Sequence, residues 1–142
     1  MLREIEPRRL YLGNAATLRD LDSLFANQIA AVLDLALNEP PARLAREMIY
    51  CRIPIDDGAG NGPERISAAL RCLVALVEGN FPVLVACSAG MSRSPALAAA
   101  ALAIVTKTSP DDCLAKIAKD APCDVSPALW ADVKRAYNRL MA

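Results

Sequence analysis

The stretch that decides the fold is VLVACSAGMSRSPAL, residues 83–97. It opens with an uninterrupted apolar run, Val83 to Ala86, between a proline and the turn-forming sequence SAG, a pattern typical of a buried strand at the centre of a sheet. From Arg93 onward, the alanine-rich run predicts a helix that is buried on nearly all sides. The loop that joins this strand to this helix begins at Cys87.

On either side of this stretch, strand patterns alternate with helix patterns. Further strands are predicted over Leu10–Gly13, Ala31–Leu35 and Tyr50–Ile53. Helices are predicted over Thr17–Asn27, Ala42–Glu47, Pro63–Glu78, from Pro110 to about Lys119, and from Pro127 to about Leu140. Such alternation is typical of an α/β layer fold.

Composition limits the classes of protein to which the chain can belong. The 142 residues, 54% of them hydrophobic, predict one compact soluble domain. Sixteen basic residues balance sixteen acidic ones, so no overall charge attracts nucleic acid or an anionic membrane. The longest apolar run, Pro95 to Val105, is too short to span a bilayer, and MLREIEPRRL lacks the apolar segment of a secretion signal. We therefore expect a cytoplasmic monomer that binds neither nucleic acid nor membrane.

The side chains available for chemistry are restricted. Five cysteines, at positions 51, 72, 87, 113 and 123, show neither paired spacing nor zinc-ligand spacing, which favours free thiols. The chain has no histidine, and this excludes Ser-His-Asp and Cys-His catalysis as well as histidine metal sites. We expect chemistry that uses Cys, Asp, Arg, Ser and the backbone, with no metal and no cofactor.

The loop after the central strand is suited to binding a phosphate-sized anion. Its backbone N–H groups can turn inward as a nest, together with the positive end of the following helix. The residues that would supply this nest are Ser88, Ala89, Gly90, Met91, Ser92 and Arg93. Arg93 adds a planar guanidinium that can hold two oxygens, and Cys87 would face the phosphorus as a thiolate.

A simpler interpretation is that Cys87 is a buried structural thiol and Arg93 an ordinary helix-opening residue. The bare pattern of a cysteine and an arginine six positions later arises by chance. Here, however, Cys87 is the one cysteine of the five with an arginine at that spacing, and the pair bridges a predicted strand-to-helix turn. This context favours a phosphate-binding nucleophile.

The segment CSAGMSRS resembles the phosphate-binding loop of the cysteine-based protein tyrosine phosphatase superfamily, and its GMSRSP ending resembles the dual-specificity branch. RRLYLGNA, AVLDL, YCRIPIDD and VSP resemble elements of that family in the same order. The resemblance implies a single catalytic domain over residues 1–142, with a central, mostly parallel sheet of about four to five strands flanked by helices. It also implies hydrolysis of phosphomonoesters, such as phosphotyrosine or phosphoserine/threonine in proteins, through a phosphocysteine and without a metal.

The resemblance also implies individual roles. Cys87 is the nucleophile, Arg93 binds the phosphoryl group and stabilises its transition state, and the Ser94 hydroxyl helps the thiolate to leave. The general acid lies in IPIDD, where Asp56 and Asp57 are both candidates and the match to the family pattern favours Asp57. A turn or helix-capping acid is the alternative for this loop; a calcium loop is poorly supported, because alanines occupy required ligand positions.

One residue departs from the family pattern. The family usually has a histidine immediately before the nucleophile, whereas this chain has Ala86. The departure leaves open a second hypothesis, a phosphate-binding pseudophosphatase that recognises phosphorylated partners without turnover. Sulfur transfer on a rhodanese-type loop is a third hypothesis, which the IPIDD and GMSRSP segments disfavour. Because Arg93 is the sole basic residue of the loop, a protein substrate is favoured over a lipid or RNA.

Overall fold

The computed structural model describes residues 2–5 and 9–142, which include one mixed sheet. Its strands are β1 (Arg3–Ile5), β2 (Leu10–Gly13), β3 (Ala31–Ala36), β4 (Ile49–Ile55) and β5 (Val83–Ala86). They lie in the order β1-β2-β5-β3-β4, in which β1 runs antiparallel to β2 and every other neighbouring pair is parallel. The predicted α/β fold with a mostly parallel sheet is confirmed.

Helices cover both faces of the sheet. They are α1 (Ala15–Arg19), α2 (Leu21–Ala26), α3 (Pro63–Glu78), α4 (Arg93–Thr106), α5 (Pro110–Asp120) and α6 (Pro127–Met141). The larger hydrophobic core lies between the sheet and the four helices α3 to α6, and a smaller core packs against α1 and α2. Among the described residues, no helix is both long enough and apolar enough to cross a membrane.

The burial of the central strand and of the helix after it explains the composition of both. All four residues of β5 are completely buried, because Val83 and Val85 face the larger core while Leu84 and Ala86 face the smaller one. Helix α4 is buried from its first residue to Ala103, and its small alanine side chains allow α3, α5 and α6 to pack closely around it. The predicted central strand and buried helix are confirmed.

The prediction of one helix over Thr17–Asn27 is wrong in detail, because this part of the chain forms two short helices. Asp20 ends α1 in a non-helical conformation, and its side chain accepts a hydrogen bond from the Ser23 N–H to cap α2. The first helix also begins before Thr17, because Asn14 caps α1: its side chain accepts from the Thr17 N–H at 2.9 Å. Asparagine and aspartate compete with helical hydrogen bonding, and this explains both boundaries.

The helix predicted over Ala42–Glu47 is also wrong: this segment is irregular. The Ala42 N–H donates to the Tyr50 hydroxyl at 2.9 Å, which anchors the segment to β4 instead of to a helical turn. Two prolines at positions 40 and 41 favour an extended chain at this point. The irregular segment begins directly after β3, and its residues Asn38 and Glu39 contact Ser88 at the candidate site.

Candidate active site

The predicted loop lies at the carboxyl end of β5, at the edge where ligands bind in parallel sheets. It forms one wall of a pocket of about 400 Å³. The lining residues come from four segments of the chain: Asn38, Asp56, Asp57, Cys87, Ser88, Ala89, Met91, Ser92, Arg93 and Asp124. Seven of the predicted site residues therefore line one pocket; Gly90 and Ser94 belong to the same loop and helix.

The base of the 87–93 loop rests on the turn between β2 and α1. The Cys87 N–H donates to the Gly13 carbonyl at 3.4 Å, and the Ser88 carbonyl accepts from the Ala15 N–H at 3.2 Å. Farther along, the Met91 carbonyl accepts from the Asp124 N–H at 2.8 Å. With these carbonyls engaged by neighbouring segments, the loop can present N–H groups to an anion in the pocket.

Gly90 has the conformation that only glycine adopts without strain. Its φ is +74°, and a β-carbon added there would lie 3.0 Å from the Gly13 carbonyl oxygen. The loop and the β2–α1 turn are therefore in backbone-to-backbone contact. This contact explains why the residue between Ala89 and Met91 has no side chain.

Cys87 is only 2% exposed, next to a buried arginine whose hydrogen bonding is incomplete. Arg93 is 6% exposed, and its Nη1 donates to the Ile55 carbonyl at 2.9 Å, which fixes the guanidinium. The Nε of Arg93 is buried and has no hydrogen-bond partner among the described residues. A buried unpaired donor is energetically costly, and an oxyanion in the pocket would satisfy it.

Ser94, the next residue along α4, is completely buried. Its Oγ also has no hydrogen-bond partner among the residues that the structure describes. Because most buried hydroxyls are paired, this one is a second polar group available to a ligand or a reacting atom.

The two candidate acids differ in what they contact. The Asp57 Oδ1 lies 2.5 Å from the Ser92 Oγ, so its carboxylate is bound to the 87–93 loop. Asp56 is held through its backbone, since its N–H donates to Asn61 Oδ1 at 2.8 Å and its carbonyl accepts from Asn61 Nδ2 at 2.9 Å. This geometry favours Asp57 as the group that acts on a ligand in the pocket.

Other contacts to the loop were not found from the sequence. Asn38 Nδ2 donates to the Ser88 Oγ at 2.8 Å, and that hydroxyl donates to Glu39 Oε2 at 2.6 Å. Asp124 lines the pocket directly before the start of α6. The one available signal for Asn38 and Glu39 was their position just beyond a parallel strand, where site residues often occur.

Position 86 lies beside a partly buried polar network. Ala86 pairs in register with Asp34, which is 1% exposed and accepts from the Tyr50 hydroxyl at 2.6 Å. Burial, and then the hydrogen bond to Asp34, raises the pKa of Tyr50, so this hydroxyl stays protonated. Arg52 lies 3.7 Å from the same carboxylate and donates to the carbonyls of Ala36 and Glu39 at 3.1 and 2.7 Å. The network thus supports the segment that contacts Ser88.

One of the other thiols, Cys72, has a strongly raised pKa. All five cysteines are free. Burial, and then the neighbouring Cys51, raises the pKa of Cys72 to about 12, so Cys72 is a protonated thiol at neutral pH.

Within residues 2–5 and 9–142, no group of three or more His, Cys, Asp or Glu side chains could hold a metal ion.

Comparison with known proteins relates this geometry to a family. The family model for the dual specificity phosphatase catalytic domain matches residues 10–138. Human dual specificity protein phosphatase 15 is 34% identical over 118 residues, which cover 80% of this chain and only 38% of that protein's length.

Solved structures show the same fold. Human DUSP28 has a TM-score of 0.83 at 20% identity, over 99% of this chain and 98% of that one. The human tyrosine phosphatase-like serine/threonine/tyrosine-interacting protein also has a TM-score of 0.83, at 18% identity and with the same coverage of 99% and 98%.

We predict that Gly90→Ala weakens binding of inorganic phosphate by about tenfold or more, because an alanine at positive φ costs about 1–2 kcal/mol and its β-carbon would press on Gly13. Isothermal titration calorimetry of the two proteins measures the difference. Gly58→Ala is the matched control, since a β-carbon there meets nothing within 4 Å. Equal phosphate affinity in wild type and Gly90→Ala would contradict this view of the loop.

Proposed function

Because this chain belongs to the dual-specificity phosphatase family of catalytic domains, we propose that it hydrolyses phosphomonoesters through a phosphocysteine formed on Cys87. The family membership that the resemblance predicted is thereby confirmed. The observation that carries the proposal is the buried Arg93, which lines the same pocket as Cys87 and Asp57 and whose Nε has no hydrogen-bond partner among the described residues. A nucleophile, an anion-binding cation and an acid in one pocket are what this reaction requires.

In the first step, the Cys87 thiolate attacks phosphorus. A sulfur–phosphorus bond forms as the bond from phosphorus to the ester oxygen breaks. Arg93 and the loop N–H groups stabilise the negative charge on the equatorial oxygens. Asp57 gives its proton to the departing oxygen, which leaves as an alcohol or phenol.

In the second step, Asp57 acts as a base toward water. The water oxygen attacks phosphorus, its proton moves to Asp57, and the sulfur–phosphorus bond breaks with its electron pair returning to Cys87. The Ser94 hydroxyl donates a hydrogen bond to the departing thiolate. That this hydroxyl is buried and lacks another partner among the described residues supports the assignment.

The charges around the pocket favour a phosphorylated protein over a polyanion. Among the residues that the structure describes, Arg93 is the only basic one that lines the pocket, while Asp56, Asp57 and Asp124 supply carboxyl groups. A substrate with several phosphates would meet the Asp56 and Asp124 carboxylates without enough positive charge to balance them. A single phosphotyrosine, phosphoserine or phosphothreonine beside neutral or basic side chains fits the pocket better than a substrate with several phosphates.

A second candidate function is binding of phosphorylated partners without turnover. Ala86, which replaces the histidine usual in the family, is the observation that favours it. The presence of Asp57 and Ser94 beside Cys87 and Arg93 favours hydrolysis, because binding alone needs neither an acid nor a hydroxyl for a leaving thiolate.

The deciding experiment is steady-state hydrolysis of a chromogenic aryl phosphate and of a phosphotyrosine peptide. We expect the wild type to turn over both, and Cys87→Ser and Arg93→Ala to lose turnover. Cys87→Ser should still bind inorganic phosphate, because its loop N–H groups are unchanged. Wild-type binding without turnover would support the pseudophosphatase, whereas substantial turnover by Cys87→Ser would contradict the covalent intermediate.

We predict that Asp57→Asn lowers kcat for a phosphotyrosine peptide by about 10²–10⁴-fold, the usual contribution of a general acid. An aryl ester with an activated leaving group should be affected far less, because its oxygen leaves without a proton. Asp56→Asn is the matched control and should change both rates little. If Asp56→Asn shows the larger, leaving-group-dependent loss, then Asp56 is the acid.

We also predict a preference for basic residues beside the phosphorylated residue. Replacing a neutral neighbour with arginine should lower KM by about two- to fivefold, since an exposed ion pair contributes up to about 1 kcal/mol. Asp124→Asn should reduce this preference, and added salt should weaken it. Asp22→Asn, on α2 outside the pocket lining, is the control. A stronger preference for acidic peptides would be incompatible with this account of the pocket charges.

A further inference from the structure

We propose that the Ser92 side chain positions the general acid by determining which oxygen of Asp57 carries the proton. The inference rests on the proposed function and adds to it a role for a hydroxyl group. The backbone N–H of Ser92 belongs to the anion-binding loop, so the two roles belong to different parts of one residue.

The Ser92 hydroxyl has two neighbours that define its hydrogen bonding. Its Oγ accepts from the Ser126 N–H at 3.0 Å and lies 2.5 Å from Asp57 Oδ1. A backbone N–H can only donate, so the oxygen of Ser92 is the acceptor in the first contact. The single hydroxyl proton of Ser92 is then available to Asp57, which accepts it at Oδ1.

This bond distinguishes the two oxygens of the Asp57 carboxyl group. An oxygen that accepts a hydrogen bond from Ser92 is the carbonyl-like oxygen when the group is neutral. The acidic proton therefore resides on Oδ2, where it can pass to the leaving group. After this transfer the Ser92 bond remains on Oδ1, and Oδ2 is again the oxygen that takes the proton from water.

The position of Ser92 is well defined. Its side chain is buried, with 6% of the residue exposed, and its carbonyl accepts from the Ala96 N–H at 3.0 Å in the first turn of α4. Ser126 caps α6, since its own side chain accepts from the Leu129 N–H. The Ser92 hydroxyl therefore connects the exposed acid loop to the starts of two helices, α4 and α6, that are packed into the larger core.

The first test compares Ser92→Ala with the wild type on aryl phosphates of graded leaving-group acidity. We expect kcat for the poorest leaving groups to fall by about tenfold more than kcat for the most activated one, as loss of a charge-assisted hydrogen bond predicts. Ser92→Thr keeps a hydroxyl and should recover much of the loss. Ser88→Ala is the matched control, because its hydroxyl bonds to Asn38 and Glu39 rather than to the acid; its effect should not depend on the leaving group.

The second test is a double-mutant cycle. With Asp57→Asn already present, Ser92→Ala should cause little further loss for poor leaving groups, because the group that Ser92 positions is gone. Inorganic phosphate should inhibit wild type and Ser92→Ala with similar constants, since the loop N–H groups persist.

Two results would overturn the positioning role alone: a loss that is equal for all leaving groups, or additive effects of Ser92→Ala and Asp57→Asn. Either would mean that the hydroxyl supports the 87–93 loop and not the acid. A wild type that turns over no aryl phosphate would instead overturn the proposed function, and with it the positioning role.

Discussion

The contact between Gly90 and the backbone of Gly13 is the constraint on which the site depends. It brings the 87–93 loop down onto the β2–α1 turn, where Cys87 and Ser88 make their backbone hydrogen bonds to Gly13 and Ala15. A side chain at position 90 would lift the loop away from this turn. The same close packing continues into α4, whose alanines are buried against the sheet and the surrounding helices. The fold thus holds the loop in place at both ends.

Burial of Arg93 links this packing to chemistry. A guanidinium removed from water is costly unless its donors are paired, and here one bond to the Ile55 carbonyl leaves Nε without a partner among the described residues. The hydroxyl of Ser94, the next residue, is also buried without a hydrogen-bond partner among the described residues. In the function proposed above, an oxyanion would supply the missing hydrogen-bond partner for the arginine, so the free energy that the fold gives up at this point would be recovered on binding a phosphoryl group.

Support for the loop also comes from the side of the sheet where Ala86 lies. The buried Asp34 and the half-buried Tyr50 and Arg52 form a polar network next to this position. Arg52 also donates to the carbonyls of Ala36 and Glu39. The segment held in this way contacts the Ser88 hydroxyl through the side chains of Asn38 and Glu39. The members of such a network depend on one another, because removing one would leave buried polar partners unpaired. The loop is therefore braced even though position 86 has no polar side chain.

The sequence by itself determined those features that depend on residues adjacent in the chain. The apolar run of β5, the alanines of α4 and the prolines that begin α3, α5 and α6 carry their structural preference in adjacent residues, and Cys87 and Arg93 lie within one such segment. The division of the first helix at Asp20 and the irregular segment at Ala42 were missed, because a capping side chain and a distant tyrosine decide them. The family pattern already favoured Asp57 over Asp56, and the contact between Asp57 and Ser92 adds a tertiary reason for that preference. The hydrogen bonds of the Ser92 side chain and the contacts of Asn38, Glu39 and Asp124 depend on the tertiary structure alone. These residues come from loops without periodicity, and they meet because parallel strands end at one edge of the sheet.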